Sequence, residues 1–238
     1  MTMAQRSKIT LAVLTRENEM LTYEDIKGND AISEYIRRAD ESLVAQGFTE
    51  HSFAHVGKVA ADVEYILTSL DFSEHDVELA KIAAYMHDIG NLINRTDHSQ
   101  SGAIMSFRIL DKMGMPAEDI ATVITAIGNH DEGTGVPVNA ISAALILADK
   151  SDVRRTRVRN ADVSTFDIHD RVNYSVEKSK LTVDKENGAI GLELKIDTRY
   201  SSVMEYFEIF LGRMVLCRKA AQTLGLSFWL TINGQRIL

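Results

Sequence analysis

Apolar residues return every three or four positions through the first two thirds of the chain, then alternate with a period of two. The helical spacing is clearest at Phe53, Val56, Val59, Ala60, Val63, Ile66, Leu67 and Leu70, which predict a helix from about Ser52 to Leu70. Before it, the pattern predicts a helix from about Asp30 to Gln46, stopped by Gly47. After it, Ser73 reads as an N-cap, with Asp76 placed as in a capping box. The helix that follows is expected to carry the octapeptide Ala83-Ala84-Tyr85-Met86-His87-Asp88-Ile89-Gly90 and to end at its glycine. Asn91 to His98 reads as a polar loop, and about Ser99 to Met113 as a helix stopped by Gly114 and Pro116. Ile120, Val123, Ile124 and Ile127 mark the next helix, ending near Gly128, and residues 129–138 form a glycine-rich loop. Ile141, Ala144, Leu145 and Ala148 repeat the helical period, with Asp149 and Asp152 continuing the same inward stripe. A further helix is expected near Thr165–Lys178.

The period then changes. Leu181–Asp184 and Ile190–Ile196 alternate about the turn signal Lys185-Glu186-Asn187-Gly188, which reads as a β-hairpin. Thr198 is placed to cap a long helix to about Leu224, and Phe228–Ile232 reads as a third strand. Ile9–Leu14 fits a strand or a short helix, and both readings stay open. The expected fold is mainly α: a helical body over residues 1–178 and a small α+β appendage over 179–238. Only two prolines in 238 residues agree with the helical body.

Charge and cysteine use narrow the function. A net charge of −8 argues against a sequence-independent nucleic-acid binder, which needs a basic surface. It leaves room for a local basic pocket that takes one small phosphorylated ligand. One cysteine, Cys217, allows no intrachain disulfide and suits a reducing compartment. No apolar run approaches the roughly 18 residues of a membrane span, and residues 1–10 lack an apolar signal core. A cytoplasmic protein is expected, with no membrane partner.

The octapeptide poses a chemical problem. An ionised carboxylate buried in an apolar segment costs several kcal/mol unless it is paired or bound to a metal. Six residues at predicted helix ends offer a solution together: His55, His87, Asp88, His98, His130 and Asp149. Each alone has an ordinary reading as a cap, an ion-pair partner or a surface residue. As a set of imidazoles and carboxylates they suit Mn, Fe, Co, Ni or Zn, with Mg the harder alternative.

The order His…His-Asp…His…His…Asp, centred on His87-Asp88-Ile89-Gly90, resembles the HD superfamily of metal-dependent phosphohydrolases over about residues 50–155. The resemblance implies an HD-domain helical bundle in which His55, His87, Asp88 and Asp149 hold one metal. It also implies a second ion on His98 and His130, as in HD-type diadenosine-tetraphosphate hydrolases, with Asp88 bridging. The stretch Gly133-Thr134-Gly135-Val136-Pro137 is distantly similar to the loop of the HD-GYP group. Val136 stands for that group's tyrosine, so its substrate does not carry over. Asn91 stands where many relatives have lysine, so another cation is needed if phosphate is to be held here.

The expected function is therefore metal-dependent hydrolysis of a nucleotide or another small phosphate ester. By the resemblance, Asp88 and His87 are the catalytic pair, and a hydroxide bridging two cations attacks phosphorus. A non-catalytic metal- and nucleotide-binding module is the alternative, and a di-iron oxygenase the less favoured one. Arg154 and Arg155, at the start of a basic run just after Asp149, are the expected phosphate contacts. His51 is a further candidate, to contact substrate or orient a ligand, also readable as a polar residue at the helix start; Lys58, also readable as a solvated lysine, and Arg95 in the loop before His98 are others. In the appendage, the stripe Val203, Tyr206, Phe207, Phe210, Met214 and Cys217 reads as core, with a homodimer surface as the alternative.

Overall fold

The computed structural model describes residues 20–238, so Ile9–Leu14 lies outside the described residues. The body holds α1 (Tyr23–Lys27), α2 (Asp30–Ala45), α3 (Phe53–Ser69), α4 (Glu74–Met86), α5 (His98–Lys112), α6 (Ala117–Gly128) and α7 (Ala140–Ser151). Their starts are made locally. The side chains of Asn29, Ser52, Ser73 and Asn139 accept first-turn amide protons of α2, α3, α4 and α7. At Ser73 the capping box is incomplete: Asp76 bonds the serine hydroxyl at 2.6 Å rather than its backbone.

The centre is α7, buried on every side from Ile141 to Ser151. It is packed by α3, α4 and α6, and a helix apolar all round belongs in such a place. Residues 82–91 are likewise all buried, so the octapeptide does lie inside the core.

After α7 the chain makes a 3-10 turn at Arg155–Arg157 and a second at Val163–Thr165, then α8 (Ile168–Ser175). The helix expected near Thr165–Lys178 is thus shorter. It gives way at Val176 to β1 (Val176–Asp184), where Ser175 Oγ bonds back to the Val172 carbonyl at 2.7 Å. β2 (Ala189–Ile196) pairs antiparallel with β1 in the expected hairpin, Val183 opposite Ile190. α9 (Val203–Thr223) then crosses over, and β3 (Ser227–Ile232) pairs parallel with β2. A two-residue β4 (Gln235–Arg236) closes the four-stranded sheet. The cap of α9 is Ser202, not Thr198. Ser202 accepts from the Glu205 amide at 3.2 Å, and Glu205 accepts from the Ser202 amide at 2.8 Å, a complete capping box.

The appendage shares the core of the body. Leu192, Leu194, Phe228 and Leu230 belong to one apolar cluster with Ile82, Leu145 and Ile146. Helix α9 lies along α7, which brings Phe210, Arg213 and Cys217 to the ligand-bearing end of the body. No helix among the described residues is long and apolar enough to cross a membrane.

Candidate metal centre

The six His and Asp residues come from five places in the chain and converge. His55 sits in the first turn of α3, and His98 is the first residue of α5, entered through Asp97 at φ 56°. His130 follows the end of α6, and Asp149 lies in the last turn of α7. The expected course of α4 needs correction. The helix ends at Met86, so His87 and Asp88 are not helical and lead into a 3-10 turn over Ile89–Leu92. His87 closes the helix by donating from Nδ1 to the Ala84 carbonyl at 2.7 Å.

Gly90 explains why this turn packs so closely. A Cβ there would overlap the His98 carbonyl oxygen and lie 2.5 Å from the Gly102 nitrogen. Backbone on backbone leaves no room to yield, so Gly90→Ala should destabilise the fold by about 3 kcal/mol. The check is a urea melt: the midpoint should fall at constant slope, and an unmoved midpoint would refute the contact.

All four histidines present the same edge inward. His87, His98 and His130 donate from Nδ1 to the carbonyls of Ala84, Arg95 and Ile127 at 2.7, 3.1 and 2.6 Å. His55 donates from Nδ1 to Asp152 at 2.8 Å. Each therefore keeps a bare Nε2 lone pair facing the centre. There, one oxygen of Asp88 stands 3.6 Å from His55 Nε2 and 3.3 Å from His87 Nε2. Its other oxygen stands 3.5 Å from His98 Nε2 and 3.9 Å from His130 Nε2. Asp149 Oδ1 lies 3.3 Å from His55 Nε2 and 3.7 Å from His87 Nε2.

At His98 and His130 electrostatics agree with this protonation. Burial pushes the His130 pKa well below its usual value, and burial lowers that of His98 despite Asp88. Burial opposes ionisation of Asp88, but its pairing with His87 outweighs it: the carboxyl is held well below the usual range and the His87 ring is raised above its usual value, a positive charge that a cation facing Nε2 would replace. Lys150, 2.7 Å away, does the same for buried Asp149.

These observations fit a divalent cation. His55 Nε2 and His87 Nε2 are buried with no hydrogen-bond partner. His98 Nε2 and His130 Nε2 lie 3.1 Å apart with both ring protons committed elsewhere. Lone pairs so placed repel one another and the carboxylates unless a cation lies among them. Two triads can hold one: His55, His87 and Asp149, and His87, Asp88 and His130, each with its donor atoms within 4.8 Å of one another.

A family model described as HD domain matches residues 52–171, half of the chain. The chain belongs to the HD domain family. The helical body and the buried His/Asp cluster are those of an HD domain with a site that can bind metal. No curated protein matches the chain.

A cavity of about 270 Å³ opens onto this HD centre. His51 and Arg95 line it, as does Arg157 from the basic run. Three other candidates are placed elsewhere, each held by a local partner. Arg154 donates to Asp152 and faces Glu50, Arg155 donates to the Tyr174 carbonyl and stacks over its ring, and Lys58 pairs with Asp62. Arg95 donates to Asn91 at 3.2 Å, and Asn91 in turn donates to Asp88 at 2.9 Å. The residue that departs from the lysine pattern thus ties a neighbouring arginine to the Asp88 carboxylate.

Sequence reasoning offered Lys150 as a partner of Asp149, as the structure has it, but missed Glu132 and Arg213. Lys150 is buried between Asp149 and Glu132, 2.7 Å from each, and Arg213 of α9 donates to Glu132 at 3.0 Å. Lys150 was legible as the neighbour of Asp149; Arg213 had no local signal. Cys217, remote in sequence, also lies close enough for these charges to act on it. Burial pushes its thiol up to about 12, so it is no nucleophile.

Proposed function

We propose that this HD domain is a metal-dependent phosphohydrolase acting on a small phosphate ester. The observation that carries the reading is Asp88. Each of its oxygens faces two inward imidazole Nε2 atoms, and Asn91 joins it to the cavity arginine Arg95. His55, His87, Asp88 and Asp149 would hold one cation, and His98 and His130, sharing Asp88, a second. A cation bound there supplies Lewis acidity toward a phosphoryl oxygen and brings the pKa of a bound water toward 7.

The protein's own groups do the rest. Asn91 fixes the Asp88 carboxylate by bonding one of its oxygens and its backbone carbonyl, both at 2.9 Å. The Nδ1 bonds lock all four imidazoles with their lone pairs inward, so no reorganisation is needed on binding. Arg95 is the one lining lysine or arginine, among the described residues, without a carboxylate in ion-pair range. Its Nη1 is engaged by Asn91 Oδ1 at 3.2 Å and His98 Nε2 at 3.4 Å, and the remaining guanidinium protons can donate to a phosphoryl oxygen. Lys150, neutralised by Asp149 and Glu132, orients Asp149 and adds little net field.

Metal analysis of protein purified without chelator, with phosphate release measured on the same sample, tests this. Two equivalents of a transition metal with phosphate release are expected. One equivalent would leave His98 and His130 structural. No metal and no turnover after Mn²⁺ or Fe²⁺ is added back would favour the binding module, and oxygen uptake without phosphate release the oxygenase. Arg95→Ala should raise KM by about tenfold at unchanged metal content, the worth of one charge-assisted hydrogen bond. An unmoved KM would remove Arg95 from the phosphate site.

A further inference from the structure

Four lysine and arginine side chains line the cavity: Arg95, Lys150, Arg157 and Arg213. What each has left to give an anion differs. Lys150 is buried and sits 2.7 Å from both Asp149 and Glu132. Arg157 is buried too, and its Nε and Nη1 donate to the carbonyls of Glu50 and Asp152 at 2.9 and 2.8 Å. Both are spent on the protein itself. Arg213 is different. Its side chain is 21% exposed, and only Nε is engaged, donating to Glu132 Oε1 at 3.0 Å. Nη1 and Nη2 have no hydrogen-bond partner among the described residues. Guanidinium protons left unpaired on a largely buried side chain call for an acceptor from outside the protein.

The free edge is also held in place. The guanidinium carbon lies 4.2 Å from the centre of the Phe210 ring, and Phe210 is itself buried in the cavity wall. A ring against its face and a carboxylate on Nε leave the group few orientations, so little side-chain freedom remains to be lost on binding. Burial disfavours the charge of Arg213, but Glu132 and then Asp149 outweigh it and keep the group a cation. Glu132 is shared with Lys150, so it does not cancel the arginine's charge in full. Two N–H donors on one guanidinium edge match two oxygens of a phosphate. Arg213 lies in α9, outside the matched residues 52–171, so the appendage carries it to the HD centre.

We propose that Arg213 is a substrate-binding residue, which together with Arg95 holds an oxyanion of the ester through its Nη1 and Nη2 edge. That the anion is a phosphate rests on the hydrolase reading. Glu132 is then a positioning residue: it touches no substrate and sets the direction of the arginine. The appendage supplies one wall of the substrate site and is not a separate module.

Inorganic phosphate, the product common to every phosphate ester, is the probe. Its Kd is measured by calorimetry on the full Mn²⁺-loaded chain, beside p-nitrophenyl phosphate turnover and metal content, for the wild type, Arg213→Met and Arg213→Lys. Arg213→Met keeps a long side chain against Phe210 and removes the donors. Phosphate Kd and KM should both rise about tenfold, the worth of a charge-assisted hydrogen bond, with metal content unchanged and kcat moved less. Arg213→Lys keeps a cation beside Glu132 without the paired donors. It should recover only part of the loss, and it serves alone if the methionine variant does not fold. A purely structural role would lower the urea midpoint and leave the phosphate Kd of the folded protein as it was. Unmoved Kd in the folded variants overturns the proposal and leaves the hydrolase reading standing. Metal loss at unchanged phosphate affinity also overturns it, and would place Arg213 behind Asp149 through Glu132 and Lys150. Phosphate binding that depends on Arg213, without phosphate release from any ester tried, upholds the anion site and sinks the hydrolase reading. Absence of phosphate binding in the wild type overturns the proposal.

Discussion

Replacing Asp88 by alanine is expected to strip the protein of its metal and to lower phosphate release by roughly three orders of magnitude. The reason is geometric. Asp88 is the only one of the six residues that faces all four inward imidazole nitrogens, two on each oxygen. Without it the His55, His87 and Asp149 group keeps three donors, while His98 and His130 lose their only carboxylate. Four buried imidazoles would then share the single carboxylate of Asp149. The fold should survive, because Asp88 holds no helix together and its removal relieves a desolvated charge. Metal content after gel filtration and phosphate release on one sample measure the effect, with a urea melt to show that the protein is folded. A folded Asp88→Ala protein with full metal and full activity would mean that the cluster is not the reaction centre.

Asp152→Ala should be nearly as damaging, through a different route. Asp152 is wholly buried and accepts from His55 at 2.8 Å and from Arg154 at 2.6 and 3.1 Å, with Arg157 3.8 Å away. Burial alone would raise its pKa; the His55 and Arg154 hydrogen bonds override that and keep it ionised. Its loss leaves the buried Arg157 guanidinium without its carboxylate and frees the His55 ring to turn. Breaking a buried charge set by removing one partner costs about 3–5 kcal/mol. Losing a carboxylate behind a metal-facing imidazole costs about 10- to 100-fold in metal affinity. The two effects separate experimentally: urea melts in chelator report the first, and competition with a chromophoric chelator reports the second. Asp152→Asn keeps the shape and one acceptor and should recover part of each. Wild-type metal affinity in a destabilised Asp152→Ala protein would show that Asp152 supports the fold but not the centre.

Much of this was legible in the chain. The amphipathic periods from Phe53 to Leu70 and from Ile141 to Ala148 mark helices because a 3.6-residue repeat has one stable use beside an apolar core. Ser52 and Ser73 mark helix starts because capping is a contact within three residues. The His and Asp positions stood out because polar groups that interrupt buried stripes need partners. Errors came where a partner was non-local or the choice was between neighbouring caps. Met86 ends α4 before His87 because the 3-10 turn packs Gly90 against the backbone of α5. Ser202 displaced Thr198 because Glu205 stands three residues after it and completes the reciprocal cap.

The arginines show the limit most plainly. A basic run beginning at Arg154 marks positive charge near Asp149, but not which guanidinium is free. Packing decided that: Arg154 is taken by Asp152 and Arg155 by Tyr174, while Arg95, held by uncharged Asn91, keeps its charge for the cavity. Glu132, Arg213 and Asn173 join the same cavity from segments far apart in the chain. The sequence by itself determined helices α2 to α7 and α9, the order of the candidate His and Asp residues and the strands β2 and β3, since these follow from periods, caps and residue chemistry within a few positions. Only the tertiary structure decided which imidazole edges point inward and which cations are neutralised, because those depend on distances between residues that the chain order does not relate.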